Sequence, residues 1–317
     1  MSDESEKIWL GALVIWIGLA GAQNGEHACA EELWTPEAVE ASPSTAGDAT
    51  LVGVIRQSDH AFDDFISPMT NPVDFEDPRI VTEVRTIFIN NHLPTDLGGK
   101  DAQAYAAQLR AALTEKPSLI ATKDVYIVSQ NPVVQDGFAD VSAGLKYNLF
   151  KDYDAQQIVS AGFTYALPIG STQALQGRTD GEFNVFLTGG TQVLDSFHFL
   201  SATGFRLPVD TPSGNQVWYW SNHFDWQVAG SRWYLFTEAN WYHYMSGGDA
   251  FPVPVGGMDL FNPGSTGIGG SDIVTGAYGL KFEPNRSTEP GVAYEFPYTS
   301  RQDIMENRLT VDFIIWF

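Results

Sequence analysis

The chain has 317 residues, 44% hydrophobic, 13% aromatic and 18% charged, the proportions of a folded chain of one to two domains and not of a disordered one. A net charge of −22, from 17 Lys plus Arg against 39 Asp plus Glu, excludes the overall basic surface that nucleic-acid phosphates require. Mean hydropathy is −0.13 and there is no run of about 20 apolar residues, which excludes a helical membrane protein. A barrel is not excluded, because each lipid-facing residue in one is balanced by a polar lumen-facing one.

Residues 8–22 (IWLGALVIWIGLAGA) form the one continuous apolar run, too short to span comfortably and placed where an export signal belongs. Ala20-Gly21-Ala22 and Ala28-Cys29-Ala30 offer cleavage sites, so residues 1–30 read as a cleaved export signal. Asp3, Glu4 and Glu6 outnumber Lys7 ahead of the run, where such signals are positive, which leaves a misplaced start or an uncleaved helix open. Cys29 is the single cysteine, and the later cut leaves a mature chain without thiols. Residues 31–77 lack sustained alternation and contain the linker-like Ser42-Pro43-Ser44-Thr45-Ala46-Gly47. They read as an irregular periplasmic tail or a plug, and Phe62, Phe65 and Phe75 suit a segment packed against strands.

From Pro78 onward apolar and polar residues alternate in twelve blocks: 79–91, 102–114, 118–130, 138–150, 156–168, 179–192, 197–207, 216–228, 232–245, 272–283, 290–297 and 306–317. Short connections at 115–117, 151–155, 193–196, 229–231 and 284–289 alternate with longer ones, the longest being 246–270. Pro94, Pro132, Pro168, Pro208, Pro252 and Pro297 stand at or near the starts of the long ones, where a missing N–H ends pairing. In the eighth block Trp218, Trp220, Phe224 and Trp226 share one face, and Tyr219, Ser221, His223, Asp225 and Gln227 the other. In the last, Leu309, Val311, Phe313, Ile315 and Phe317 alternate with Arg308, Thr310, Asp312, Ile314 and Trp316. Lipid on one side and a polar lumen on the other explain both patterns. A soluble sandwich with a Trp-rich core does not also explain the signal-like start and the loop asymmetry. The predicted fold is all-β: a single antiparallel transmembrane barrel of about 12 strands over 78–317, with an irregular N-terminal segment.

A last strand ending in Phe317 resembles that of bacterial outer-membrane barrels, in which the terminal Phe is a membrane-insertion signal. Asn71-Pro72, Phe75-Glu76-Asp77-Pro78-Arg79, Thr82-Glu83-Val84-Arg85, Gly137-Phe138-Ala139-Asp140, Leu260-Phe261-Asn262, Gly264-Ser265-Thr266-Gly267 and Arg308-Leu309-Thr310-Val311-Asp312 resemble uncharacterised outer-membrane proteins. These are similar to the transporter-like barrels grouped under the phenol-degradation MetA pathway, and the resemblance covers about 62–317. It implies the outer membrane of a Gram-negative bacterium, with membrane lipids, the barrel-assembly machinery and a small, often apolar solute as partners. It carries over no catalytic residue.

With the apolar rows facing lipid, the inward rows supply the lumen and pore candidates Glu83, Arg85, Arg110, Asp140, Lys146, Asp225, Glu238, Lys281, Glu295, Arg308 and Asp312, six acidic and five basic. Near-balance predicts interior ion pairs in place of a single-sign selectivity ring. First and last strands must meet to close a barrel, so Glu83 and Arg85 are expected near Arg308 and Asp312. Those charges form a structural cluster at the seam or narrow the pore. Twelve strands leave a narrow bore, which residues 31–77 or the loop 246–270 can occlude. Gly256, Gly257, Gly264, Gly269 and Gly270 let that loop fold inward or pack on itself, and Phe251, Met258, Leu260 and Phe261 give it apolar contacts.

A lipid-active enzyme would rest on Ser221 and His223, two apart on one strand face, with Asn240 on the next strand. Cα atoms two apart on a strand are separated by about 7 Å, and this face points away from lipid. No HExxH-type spacing suggests a metal, no loop carries calcium-hand spacing, and no cofactor is expected. The function expected is a channel or transporter passively admitting small solutes, apolar ones included. The alternatives are a structural or adhesive barrel with a closed lumen and a lipid-active enzyme.

Overall fold

A computed structural model describes residues 50–317. The export-signal reading of 1–30, with its cleavage sites and Cys29, lies outside the described residues. Strands β1 (Thr50–Val52) and β2 (Ile55–Arg56) form a small hairpin. There follow β3 (Glu83–His92), β4 (Asp101–Ala112), β5 (Pro117–Ser129), the two-residue β6 (Gly137–Phe138), β7 (Val141–Asp152) and β8 (Gln157–Leu167). The series continues with β9 (Glu182–Leu194), β10 (Phe197–Pro208), β11 (Gln216–Gln227) and β12 (Trp233–Ser246). It ends with β13 (Ser271–Phe282), β14 (Thr288–Pro297) and β15 (Asn307–Trp316). Apart from β6, which caps part of β5, each strand from β3 to β15 pairs antiparallel with its neighbours. The last strand pairs with the first, from Asn307 opposite His92 to Trp316 opposite Glu83. The result is a closed, twelve-stranded antiparallel barrel, as the alternation predicts.

The predicted strands fall within a few residues of the observed ones, and the first departs most. It begins at Glu83 and not at 79, because Arg79 stays with the preceding segment, donating to the carbonyls of Phe62 and Phe65 and to the Asp77 carboxylate.

Side-chain parity explains the rest of the wall. On β15 Leu309, Val311 and Phe313 are exposed while Arg308, Thr310 and Asp312 are buried. On β11 Phe224 and Trp226 are exposed, whereas Tyr219, Ser221, His223 and Asp225 are buried. Polar atoms on the outer face find partners there: the Trp218 indole N–H donates to Thr203 Oγ1 at 2.9 Å and that of Trp220 to Ser201 Oγ at 2.8 Å. Lipid supplies no hydrogen bonds, so such pairing is required. Register shifts change parity, and the one on β5 matters most for the lumen. A bulge between Ala121 and Lys123 turns both Thr122 and Lys123 inward and leaves Asp124 on the outer face.

Short turns lie at one rim, which in outer-membrane barrels faces the periplasm, and long loops at the other. Close packing of the wall depends on glycine opposite aromatic rings. A Cβ on Gly279 would stand 2.0 Å from the Phe236 ring directly across the strand pair. Gly279→Leu is therefore expected to prevent barrel closure, seen as loss of the compact form on unheated denaturing gels. Adding Phe236→Ala should restore part of that form.

Candidate functional site

The lumen is where the inward rows meet, and it is filled. Residues 58–82 leave the short-turn rim, run up the bore and return, with both ends fastened at one place. Ser58 Oγ donates to the Thr82 carbonyl and accepts from the Thr82 N–H, each at 3.0 Å. The Ser58 N–H donates to the Phe317 carbonyl at 2.7 Å, and the Phe317 N–H to the Thr82 carbonyl at 2.9 Å. The segment reverses at Asn71, which takes φ +55° and whose carbonyl accepts the Phe75 N–H at 2.8 Å. Its apolar residues are shared among several patches of wall. Phe62 and Phe65 pack with Ile158, Ile66 and Met69 with Tyr234 and Phe236, and Phe75 with Leu200 and Ala202.

This plug has almost no regular hydrogen bonding of its own, so the wall must satisfy its backbone. Glu238 accepts the N–H groups of Met69 at 2.7 Å and Thr70 at 2.6 Å, and also the Thr70 hydroxyl. The same carboxylate meets His223 Nδ1 at 2.6 Å, and Asp225 links His223 to His198 at 3.3 and 2.7 Å. Arg110 bridges Glu76 of the plug and Glu83 of the wall at 2.6 Å each. Lys146 Nζ holds Glu76 at 2.7 Å and the Asp77 carbonyl at 2.6 Å. Arg85 donates to the Pro68 carbonyl at 2.8 Å and pairs with Asp312 at 2.7 Å, and Lys281 completes that cluster with Asp312 and Glu289.

At the seam Arg85 does meet Asp312, but Glu83 turns to Arg110, its direct register partner on β4. Arg308 turns upward to Asp259 at 2.9 Å and Glu295 at 3.6 Å. Asp140 stands apart from the plug, accepting the N–H groups of Gly170 and Gly177 at 2.9 Å each. Ser221 and His223 are both engaged with the plug system: Ser221 Oγ accepts from Asn71 at 2.8 Å, His223 bonds Glu238 through Nδ1 with Nε2 lying 3.3 Å from Asp225, and no Ser221–His223 hydrogen bond exists among the described residues. Asn240 reaches Thr70 Oγ1 at 2.9 Å and Glu295 at 3.2 Å.

Several participants escaped the sequence reading. Lys123 is turned inward by the bulge, against strict alternation from Ile120. Glu289 belongs to β14 and not to a turn, and its Oε1 accepts the Ser67 N–H at 3.2 Å. Arg206 shares parity with His198 on β10 and could have been found from that; it pairs with Glu182 at 2.8 Å and approaches Asp74 at 3.7 Å. Burial pushes the Asp74 carboxyl up to about 7, only partly countered by Arg206. Asp77 is equally buried, yet the Arg79 guanidinium overcomes that burial and holds its carboxyl well below the usual range.

Above the plug, the loop 247–270 folds into the bore with Met258, Phe261 and Ile268 buried. Arg308 fixes it through Asp259, and Arg206 through the Met258 carbonyl. Around the plug tip and the loop the spaces left measure about 30, 20 and 20 Å³, each with room for roughly one or two waters and no solute. A wider space of about 440 Å³ opens at the short-turn rim, between residues 60–64 and the wall.

Glu238→Leu removes the acceptor for two plug N–H groups and leaves His223 facing Asp225 alone. Faster proteolysis or hydrogen exchange confined to residues 66–72 is the expected result, with the barrel still compact. The raised Asp74 carboxyl makes a second prediction. An acid whose folded pKa exceeds its free value of 3.8 stabilises the fold at low pH, and that contribution is lost as pH rises from about 4 through about 7. Protection of the Phe75 amide, corrected for intrinsic exchange, should fall over that window in the native chain and less so in Asp74→Asn.

No protein-family model matches this chain, and no curated protein matches it. Among solved structures it is similar to the COG4313 outer membrane channel from Pseudomonas putida F1, at 10% identity and TM-score 0.51, covering 78% of this chain and 99% of that one. It is also similar to the NanC porin, at 10% identity and TM-score 0.48, and to the KdgM porin, at 12% and 0.45, each over 74% of this chain and 99% of the other. At these identities the likeness is one of fold, and the fold is that of a bacterial outer-membrane β-barrel.

Proposed function

We propose that this protein is a gated channel of the Gram-negative outer membrane that passively admits small solutes, apolar ones included. The observation that carries this reading is the manner of closure. The bore is filled by a segment pinned at both ends to one rim and held above by hydrogen bonds and ion pairs to wall side chains, an arrangement that can shift without breaking the barrel. The long-loop half of the lumen favours apolar cargo, since Ile89, Val125, Ile127 and Ile273 point inward there. The resemblance to transporter-like barrels of the MetA pathway supports the same solute class. Outer-membrane lipids and the barrel-assembly machinery, which would read Phe317, are the partners this role requires.

The residual spaces of about 20 to 30 Å³ favour a second reading, a structural barrel whose lumen stays shut. Single-channel conductance in a planar bilayer separates the two. A channel shows rare, brief openings in the native protein, longer or larger ones when residues 59–81 are replaced by a short Gly-Ser link, and a further change when 247–270 are trimmed. Silence in all three correctly folded forms would leave the structural barrel.

A further inference from the structure

Lys123 is a buried lysine that no acid among the described residues pairs with directly. Its residue is 6% exposed, and Nζ has one partner, the neutral Gln176 Oε1 at 3.0 Å. No carboxylate among the described residues lies within 4 Å of Nζ. The acids in the neighbourhood are committed elsewhere: Asp140 to two backbone N–H groups, Glu182 to Arg206, and Asp74 to Asn184 at 3.2 Å. Burial also raises the Asp74 carboxyl to about 7, so its charge at neutrality is only partial. An unpaired cation inside a membrane protein is expensive, and an anion that reaches it would offset that cost.

The surroundings say what kind of ligand. Beside Lys123 the wall is formed by Val125, Ile127, Val134 and Ala139, and Phe261 and Ile304 close over it. Phe261 sits on the inserted loop, and the space it leaves is about 30 Å³, so its ring occupies the place an apolar group of similar size would take. Gln176 ties the two halves together, accepting from Lys123 and donating through Nε2 to the Leu260 carbonyl at 3.1 Å. A ligand that reaches Lys123 therefore competes with the loop's own contacts. Val73, near the plug's reversal, also borders the space, which puts the site between the two closing elements.

We propose that Lys123 and this apolar wall form a binding site for small amphiphilic anions, with a ring-sized or short aliphatic body and a single carboxylate or phenolate. The body displaces Phe261 and the anion takes the place of Gln176 on Nζ. This deepens the channel reading, on which it rests for its role: the site selects among solutes on their way to the plug.

Calorimetric titration of the refolded protein with benzoate and with its neutral counterpart benzamide tests the site directly. Benzoate should bind at least about tenfold more tightly. Lys123→Met should abolish that preference and Lys123→Arg retain it. Phe261→Ala should tighten both ligands. Gln176→Glu, which places an internal carboxylate against Nζ, should weaken benzoate alone and serves if Lys123→Met does not fold. Equal affinity of the native protein for both ligands, or a preference that survives Lys123→Met or Gln176→Glu, overturns the proposal. Because binding is read without flux, conductance without a benzoate preference refutes the site alone. A benzoate preference in a barrel that never conducts refutes the channel and leaves the site.

Discussion

Backbone polar groups shut away from water must find partners within the protein, and lipid offers the wall none. The wall meets this demand with its own closed ladder of strands. The plug cannot, since it lacks regular structure, and so its backbone is bonded by wall side chains from many strands: Arg85 on β3, Gln108 on β4, Lys146 on β7, Ser160 on β8, Thr188 on β9 and Glu238 on β12. The inward charges are balanced in sign because they answer one another and the plug.

That arrangement also limits how the bore can open. Removing one partner from a buried ion pair costs about 3–5 kcal/mol, so withdrawing Glu76 from both Arg110 and Lys146 would sum two such losses. Near the reversal at Asn71 one charged group, the Glu238 carboxylate, holds Met69 and Thr70, and the other contacts are neutral. There Asn71, Pro72 and Thr70 meet Ser221, Gln108 and Asn240 through neutral hydrogen bonds, each with a net worth of about 1 kcal/mol. A shift of the tip must release Glu238 as well as these neutral bonds, while the ion pairs of Glu76 with Arg110 and Lys146 stay in place. Asp74 lies on that tip, next to the loop-bearing half of the lumen.

Much of the fold was legible in the sequence because a two-residue period survives wherever one face meets lipid. Leu309 to Phe313 and Trp218 to Trp226 announce their faces without help from context. The lumen was less legible, since alternation tells which residues point inward but not what they meet. Arg308 turns to Asp259, a loop residue 49 positions away in sequence, which no strand pattern could reveal. Lys123 was hidden for another reason: a single extra residue in β5 reverses parity, and the sequence around Thr122 carries no mark of the bulge. The irregular 31–77 segment offered only its phenylalanines as a sign that it packs inside. Its polar anchors, Glu76 and Asp77, became meaningful only opposite Arg110 and Lys146.

The central claim is that displacement of the plug opens the bore, and a reversible tether tests it most directly. Thr70 and Asn240 are in hydrogen-bond contact across the plug and wall. Thr70→Cys combined with Asn240→Cys, in a chain whose Cys29 is replaced, allows a disulfide to lock them together. Conductance should vanish on oxidation and return on addition of reductant to the same bilayer. Openings of unchanged size and frequency in the oxidised, cross-linked protein would contradict the account.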